Sequence, residues 1–234
     1  MKIFYRISDA GYKKNKPDYI NNENCLKNFT KVFAEYIDDI YITADNVCED
    51  TYKMICKYIS EDKITKSYQG HGAGTFNLTL DQALKQPDNE IIYFVENDYL
   101  HRDGSPNAIL EGLSLGFPYV TLYDHPDKYL DPSFGGNHFC QGGAENTRVY
   151  QTNSCHWKIT NSTTMTFAGR VADLKKDEGI MRKWTSDIHP NDFQMFLEIR
   201  SNSRFLLSPI PSYSTHGEVE WLAPIINWKH IADA

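Results

Sequence analysis

The most constraining feature of the sequence is the segment over residues 90–95, EIIYFV. It is almost continuously apolar and rich in β-branched and aromatic side chains, so we predict a strand that is covered on both faces. Strands of this kind belong to parallel sheets that carry helices on each side. The segment therefore favours an α/β fold in which further strands and helices alternate around it.

The preceding ninety residues show this alternation. Short apolar segments predict strands at residues 2–8, 40–44 and 64–68. Apolar residues at helical spacing predict helices at residues 19–36, 47–59 and 76–85. We therefore expect an α/β domain with a Rossmann-like, mostly parallel central sheet flanked by helices.

The second half of the chain is less regular. Helices are predicted at residues 107–115, 167–184 and 191–200, and strands at 119–123, 149–160 and 205–207. Residues 124–146 are rich in glycine and polar side chains, which predicts a long loop, and long loops in compact domains usually carry function. We see no repeat or linker, so one domain over residues 1–234 is expected.

The charge balance excludes one class of function. The chain has 24 lysines and arginines against 31 acidic residues, a formal net charge of −7. Proteins that bind nucleic acid without sequence preference carry a dominant basic patch, so no nucleic-acid partner is expected. The densest basic stretch contains Lys13, Lys14 and Lys16, which we interpret as a solvated loop.

Compartment and membrane contact follow from other patterns. No apolar segment approaches the roughly 20 residues that a membrane span needs, and the first residues lack the apolar core of a signal peptide. The five cysteines are odd in number and form no CxxC pair, which favours buried thiols in a reducing compartment. We expect a cytoplasmic protein without a membrane span.

Polar residues follow the predicted strands, and ligands of such sheets bind beyond the carboxyl ends of the strands. The residues concerned are Ser8-Asp9, Asp45-Asn46, Gln69-Gly70 and Glu96-Asn97-Asp98. Carboxylates fixed after a buried strand suit Mg²⁺ or Mn²⁺ that also binds phosphate oxygens. The alternative is a strand followed by an ordinary polar turn, since Asn and Asp favour turns.

Two further segments could complete such a site. His216 follows a proline-rich segment and precedes a glycine, and neutral imidazole is a common ligand of divalent ions, so it could join Asp98. Its alternative is a histidine in a surface loop. Residues 71–75 (HGAGT) precede a predicted helix whose N-terminus would attract phosphate or carboxylate groups, or they form a simple tight turn.

Asp192 begins a predicted late helix. An acid in a first helical turn ordinarily stabilises the helix dipole, but it could also be a general base that deprotonates a hydroxyl, with Asp187 as a rival. Trp157, Trp184 and Trp221 could stack on sugar faces or belong to the core.

Taken together, the order of these parts resembles the GT-A glycosyltransferases, particularly small bacterial or phage-type members. The resemblance implies a single GT-A-like domain with a nucleotide-binding half (1–100) and an acceptor half (101–234). The DxD motif of the family is similar to Glu96-Asn97-Asp98, with Asp98 as the direct ligand of Mn²⁺ or Mg²⁺ and Glu96 nearer the ribose or a water. Glu96 departs from the motif. The late histidine ligand of the family matches His216.

The resemblance also implies a donor pocket and a base. The implied donor-binding residues are Tyr5, Arg6, Ser8, Asp45, Gly72, Thr75, Asn77, Glu96 and Asn97. In inverting members the base is an acid at the start of a late helix, which matches Asp192. The implied reaction moves a sugar from a nucleotide-sugar, with UDP as the family-level expectation, to a hydroxyl group of a carbohydrate or other acceptor.

Two other functions stay open. A nucleotidyltransferase shares the α/β layout and an acidic metal site, although residues 6–15 (RISDAGYKKN) lack the GxGxR-type glycine pattern of that class. A non-catalytic module that binds nucleotides or carbohydrates would also be compatible with the tryptophans and the loop-rich second half. The sugar, the acceptor and the choice between inversion and retention are not determined by the sequence.

Overall fold

The strands predicted in the first hundred residues form one side of a large sheet. In the computed structural model, which describes residues 1–11 and 14–234, these are β1 (Lys2–Ser8), β2 (Ile40–Asp45), β3 (Ile64–Ser67) and β4 (Ile91–Glu96). They pair in parallel in the order β3-β2-β1-β4. All four predicted strands are confirmed to within one residue at each end.

Helices α1 (Asn22–Val32), α2 (Glu49–Cys56) and α3 (Gly72–Ala83) connect these strands. The first predicted helix is too long, because α1 ends at Val32 and a 3-10 helix follows at Ala34–Asp39. Helix α3 begins four residues before its predicted start. Its first turn therefore contains the glycine-rich segment, and His71 caps it by accepting a hydrogen bond from Gly74 N.

Most strands in the rest of the chain extend the same sheet. Its strands are β5 (Tyr99–His101), β6 (Tyr119–Val120), β7 (Val149–Gln151), β8 (His156–Thr160), β9 (Phe167–Arg170), β10 (Leu206–Ile210) and β11 (Ser214–His216). Its helices are α4 (Ser105–Ser114), α5 (Val171–Trp184), α6 (Asp192–Ser201) and α7 (Trp228–Asp233). β5 and β11 form a separate antiparallel pair, which sequence reasoning did not predict.

The described part of the large sheet has the order β3-β2-β1-β4-β9-β6-β10-β8-β7. β9 is antiparallel to both of its neighbours, β4 and β6, and β8 is antiparallel to both β10 and β7. The other seven strands therefore point the same way. The predicted architecture, a mostly parallel α/β sheet flanked by helices, is confirmed.

Two predictions in the second half are wrong. Residues 149–160 are a hairpin of β7 and β8 rather than one strand, because a turn closes where Thr152 N donates to Cys155 O at 3.0 Å. Residues 167–184 are not one helix, because the first four form β9. The gap between β4 and β6 offers backbone partners on both edges, and these pairings outweigh the local helical pattern.

Both faces of the sheet are covered. Alternate residues of β1 point to opposite sides, so Ile3, Tyr5 and Ile7 pack with the cluster under α1, whereas Phe4 packs with the cluster under α3, α5 and α6. This burial explains the continuous apolar character of the central strands.

The loop predicted at residues 124–146 contains no helix or strand beyond short 3-10 turns at Pro126–Lys128, Pro132–Phe134 and Gln141–Gly143. Among the residues that the structure describes, no helix is both long and apolar enough to cross a membrane. Cys25, Cys140 and Cys155 are buried thiols, as predicted, whereas Cys48 and Cys56 are exposed.

Candidate functional site

A cavity of about 920 Å³ opens at the carboxyl ends of β1, β2 and β4. This volume lies within the usual range of small-molecule sites. Ten of the twelve residues predicted for the site line it, namely Arg6, Ser8, Asp45, Gly72, Thr75, Glu96, Asn97, Asp98, Asp192 and His216. The rule that ligands bind beyond the strand ends thus directed attention to the edge of the sheet where the cavity lies.

The structure does not bring the other two, Tyr5 and Asn77, to the cavity. Tyr5 is fully buried on the α1 face of β1, with its ring 5.1 Å from that of Phe29. The alternation of the strand turns it away from the edge where Arg6 lies. Asn77 faces the chain after α5, where its side chain donates to Thr185 O at 3.0 Å and accepts from Thr185 Oγ1 at 3.1 Å.

Three predicted residues converge at one point of the cavity wall. Glu96, Asp98 and His216 each offer a ligand atom, and these atoms lie within 4.8 Å of one another. Asp98 and His216 are buried and Glu96 is half-buried. The set combines carboxylate oxygens with an imidazole nitrogen, a combination that suits Mn²⁺ and, through its oxygens, Mg²⁺.

The pairing of β5 with β11 explains the convergence. Asp98 lies in the short turn between β4 and β5, and β11 pairs with β5 so that His216 lies opposite Tyr99. The next residue, Gly217, allows the two chains to approach, because a Cβ there would be 2.6 Å from Asp98 O. His216 is therefore not in a surface loop. It is 3% exposed and held in a strand.

Two lysines that we interpreted as solvated contact this cluster. Lys14 Nζ is 3.1 Å from Asp98 Oδ2 and 2.9 Å from His216 Nε2, and Lys16 Nζ is 3.0 Å from Asp98 Oδ2. An ammonium group can only donate, so Nε2 of His216 accepts from Lys14. Lys13 lies outside the described residues. Their place in the sequence could have indicated this contact, since both lysines closely follow β1 and ligands bind at that edge of the sheet.

The electrostatics of Asp98 fit a cation site. Burial by itself would raise the pKa of Asp98, but His216, when it is protonated, and the ammonium groups of Lys14 and Lys16 outweigh it and hold the pKa well below its usual range. The carboxylate is therefore ionised. Its Oδ1 is buried without a hydrogen-bond partner among the described residues, so a ligand atom remains unsatisfied. The residues present fit a divalent cation.

Arg6 connects the cluster to the rest of the cavity floor. It lies beside Glu96 across the parallel pair of β1 and β4, with Nη2 3.3 Å from Glu96 Oε1. The same guanidinium donates to Met165 O at 2.9 Å and to Gly72 O at 3.4 Å. Burial lowers the pKa of Arg6 and Glu96 opposes that shift. Arg6 thus fixes the position of Glu96 and of two chain segments beside the cavity.

The start of α3 forms another wall. Gly72 and Thr75 lie in its first turn, and Thr75 Oγ1 donates back to Gly72 O at 3.0 Å. The first backbone N–H groups of a helix carry partial positive charge, although in α3 Ala73 N already donates to Ile188 O at 3.4 Å and Gly74 N to His71 Nδ1 at 3.0 Å. This wall therefore favours an anionic group of a ligand.

Asp45 and Asp9 are engaged with the chain. Asp45 accepts hydrogen bonds from Gln69 N at 2.6 Å and Gly70 N at 2.9 Å. Asp9 accepts from Cys48 N at 2.8 Å and from Thr51 Oγ1 at 3.1 Å. These carboxylates shape the loops at the cavity rim, and a role of Asp45 at a ribose stays a prediction.

Asp192 lines the cavity from the start of α6. Its Oδ2 accepts from Thr163 N at 2.9 Å and from Thr164 N at 2.8 Å. Thr164 and Met165 have φ values of 46° and 58°, an uncommon left-handed conformation for residues with side chains. Such conformations persist where neighbouring contacts fix them, and they cluster at functional sites. Asp192 supplies two of these contacts and so holds this turn beside the cavity.

His125 and Trp221, which we did not predict as a pair, also line the cavity. Their rings lie 5.2 Å apart, and His125 Nδ1 is 2.9 Å from Asp127 Oδ1. Burial would raise the pKa of Asp127, but His125 and Lys128 outweigh it and lower the pKa. Trp157 is instead fully buried in the core. Trp184 packs against the core and donates to Glu198 Oε2 at 2.7 Å, so of the three tryptophans named above Trp221 is the one that lines the cavity.

The described part of the cavity wall carries an excess of negative charge. Its cationic side chains are those of Arg6, Lys14 and Lys16. Among the described residues, six carboxylates oppose them, those of Asp9, Asp45, Glu96, Asp98, Asp192 and Glu218, which leaves three negative charges uncompensated when the histidines are neutral. A phosphorylated ligand is repelled by such a surface unless a cation enters with it.

No protein-family model matches the sequence, and no curated protein matches it either. Among solved structures, the chain is similar to CMP:2-keto-3-deoxy-manno-octonic acid synthetase complexed with CTP, with a TM-score of 0.50 and 10% identity over 88% of each chain. It also matches S. aureus TarS 1-349, with a TM-score of 0.43 and 14% identity over 76% of this chain and 49% of that one. The first likeness shows that the fold is shared with a protein whose structure contains a bound nucleotide.

Proposed function

We propose that this protein is a metal-dependent glycosyltransferase that moves a sugar from a nucleotide-sugar to a hydroxyl acceptor. The observation that carries the proposal is the cluster of Glu96, Asp98 and His216 at the end of the central strand. It lies in a cavity that is also lined by the N-terminus of α3 and by an acid at the start of α6, Asp192.

Different residues of the cavity would bind the metal ion, the phosphates and the nucleoside. Asp98 and His216 would hold Mn²⁺ or Mg²⁺, and Glu96, fixed by Arg6, would lie beside it. When bound, the cation would supply positive charge that offsets the charge of the departing nucleoside diphosphate. The N-terminus of α3 would attract phosphate oxygens through the partial positive charge of the helix dipole, since Ala73 N and Gly74 N already donate within the chain. Ser8 and Asn97 lie at the same rim and would contact the nucleoside.

Asp192 is the proposed base of an inverting reaction. Because its Oδ2 already accepts two backbone hydrogen bonds, Oδ1 is the atom that would take the proton of the acceptor hydroxyl as that oxygen attacks the anomeric carbon. Trp221 and His125 offer ring surfaces on the acceptor side. The transition state would have oxocarbenium character, as in glycoside hydrolysis.

A specific observation favours a second candidate, a nucleotidyltransferase. Lys14 and Lys16 reach the cavity from the segment after β1, where that class places basic groups for a triphosphate. In this alternative a sugar or sugar acid would attack the α-phosphate of a nucleoside triphosphate and release pyrophosphate. A non-catalytic module would bind the nucleotide without any turnover.

The test of the metal site is titration calorimetry of UDP and GDP with and without Mn²⁺. We expect binding that requires Mn²⁺ and falls by about a hundredfold or more in Asp98→Asn and His216→Ala. Lys27→Met, on the exposed face of α1, is the matched surface control. Equal affinity in Asp98→Asn would remove Asp98 from the metal site, and absence of binding under every condition would refute the proposal.

A turnover assay separates the candidates. A glycosyltransferase releases nucleoside diphosphate from a UDP-sugar or GDP-sugar, at a slow rate even when water is the acceptor. A nucleotidyltransferase releases pyrophosphate from CTP or UTP when a sugar phosphate or sugar acid is present. Pyrophosphate release without nucleoside diphosphate release would replace the first proposal by the second. Binding without either product would favour the non-catalytic module.

A further inference from the structure

Two ammonium groups stand where the proposed metal ion would bind. Lys14 contacts both Asp98 Oδ2 and His216 Nε2, whereas Lys16 contacts the carboxylate oxygen alone. An imidazole nitrogen has one lone pair, so Nε2 of His216 cannot accept from Lys14 and bind a metal ion at the same time. The ammonium of Lys14 and a divalent cation held by Nε2 therefore exclude each other.

We propose that Lys14 is an internal competitor for the metal ion. Its ammonium joins Asp98 to His216 in the metal-free protein, leaves them when a divalent cation binds, and then pairs with the diphosphate of the donor. The proposal rests on the metal-dependent function proposed above.

The physical reason for such a group lies in the burial of its partners. Asp98 is 4% exposed and His216 is 3% exposed, and an uncompensated buried carboxylate is costly. The described part of the cavity wall already carries surplus negative charge, so a metal-free Asp98 needs a cation from the chain. Lys14 supplies one that is itself only 13% exposed.

The lysine side chain suits a temporary role. Its ammonium group sits on a flexible four-carbon stem with rotatable donors, so it can exchange partners through side-chain rotation. Lys14 lines the same cavity that would hold the diphosphate, so the released ammonium has a phosphate partner within the site.

The first experiment measures the affinity for Mn²⁺ alone by calorimetry. We expect Lys14→Met to bind Mn²⁺ at least about tenfold more tightly than the unsubstituted protein, because a positive charge beside the ligands is removed. Lys16→Met, which keeps the contact at His216, is expected to give a smaller gain. Lys27→Met controls for loss of a surface charge and should leave the affinity unchanged.

The second experiment measures binding of inorganic pyrophosphate at saturating Mg²⁺. Here Lys14→Met is expected to bind about tenfold more weakly, since a charge-assisted contact is lost. A lysine that served only to hold the fold would weaken both affinities when replaced. The opposite signs of the two effects are therefore the signature of the competitor.

The outcomes separate this proposal from the function on which it rests. If the unsubstituted protein binds Mn²⁺ and Lys14→Met binds it equally or more weakly, the competitor is refuted and the metal site stands. If neither protein binds Mn²⁺, both proposals fall. Pyrophosphate affinity that is unchanged in Lys14→Met would refute the pairing with the diphosphate.

Discussion

The two sides of the sheet are stabilised differently. On the side of β1 to β4, helices cover both faces with apolar side chains, and the ion pair of Glu23 with Lys57 lies at exposed residues. On the side of β6 to β10, charged groups are buried. Lys158 Nζ is 2.6 Å from Asp124 Oδ1, and both residues are at most 3% exposed.

The loop at residues 124–146 explains this difference. A segment without helix or strand cannot satisfy its polar groups through a regular ladder, so it needs side-chain partners. Asp124 receives a hydrogen bond from Tyr129 Oη at 2.7 Å, and Lys158 donates to Tyr129 Oη at 2.9 Å. Lys128 is 1% exposed, and its Nζ lies 3.8 Å from Asp127 Oδ2 and 3.8 Å from Glu145 Oε2. The first side therefore depends on apolar periodicity, whereas the second adds specific buried polar contacts to its apolar core.

The largest expected effect is on the rate of sugar transfer by a variant of Asp192, which should lose chemistry while it keeps donor binding. Asp192→Asn should lower the rate of sugar transfer by about 10²–10⁴-fold, because the amide cannot accept the proton. Its oxygen can still accept from Thr163 N and Thr164 N, so the turn beside the cavity should persist. Donor affinity, measured by calorimetry, should be unchanged. Full activity in this variant would eliminate Asp192 as the base.

The next effect tests the buried charges of the loop side. Lys158→Met should lower the free energy of unfolding by about 3–5 kcal/mol, because Asp124 would remain buried without its cation. The double variant Asp124→Asn, Lys158→Met should recover part of that loss. Urea denaturation measures both. Glu23→Gln, at the exposed pair, should change stability by less than about 1 kcal/mol. Equal effects at the two pairs would contradict the comparison.

A smaller effect tests the strand that was predicted as helix. A Cβ on Gly169 in β9 would lie 2.6 Å from the Tyr119 ring, so Gly169→Ala should cost about 1–3 kcal/mol of unfolding free energy. A Cβ on Gly179, in α5, would meet no other atom within 4 Å among the described residues. Gly179→Ala should therefore stabilise the protein by about 0.5–1 kcal/mol. A helix over both glycines would have gained from both changes.

The last effect is a pH dependence on the apolar side, gradual because it is spread over several pH units. His101 is buried against Phe29 and Phe33, and burial lowers its pKa from 6.5 to about 3. Below pH 6.5 the unfolded chain binds a proton that the folded protein does not, so stability falls as the pH is lowered from 6.5 towards 3. The slope is at most about 1.4 kcal/mol per pH unit.

The variant His101→Phe tests this slope. It keeps the ring contacts but cannot titrate. Its unfolding free energy should therefore fall less steeply between pH 6.5 and 4, by up to about 1.4 kcal/mol per pH unit. At pH 8 the variant should be less stable, because Tyr93 Oη loses its partner at 2.7 Å. An identical slope in both proteins would show that His101 is not the group responsible.

Sequence reasoning succeeded where one local pattern had one meaning. The run at residues 90–95 and the three other strands of the first half were predicted to within one residue, since apolar runs between turn residues compete with few alternatives. Asp98 and the other acids at the strand ends were found by topology. β9 was missed because Phe167–Arg170 continues into α5 without a break, and the pattern alone cannot reveal a gap between β4 and β6.

The sequence by itself determined the alternation of strands and helices, and with it the edge of the sheet where a ligand would bind. Only the tertiary structure decided which side chains meet there. It brought His216 beside Asp98 through the pairing of two three-residue strands. It also placed the ammonium groups of Lys14 and Lys16 in contact with the carboxylate of Asp98, where the sequence had predicted a solvated loop. The reason is that periodicity is a local property of the chain, whereas contacts over more than eighty residues depend on how every element packs.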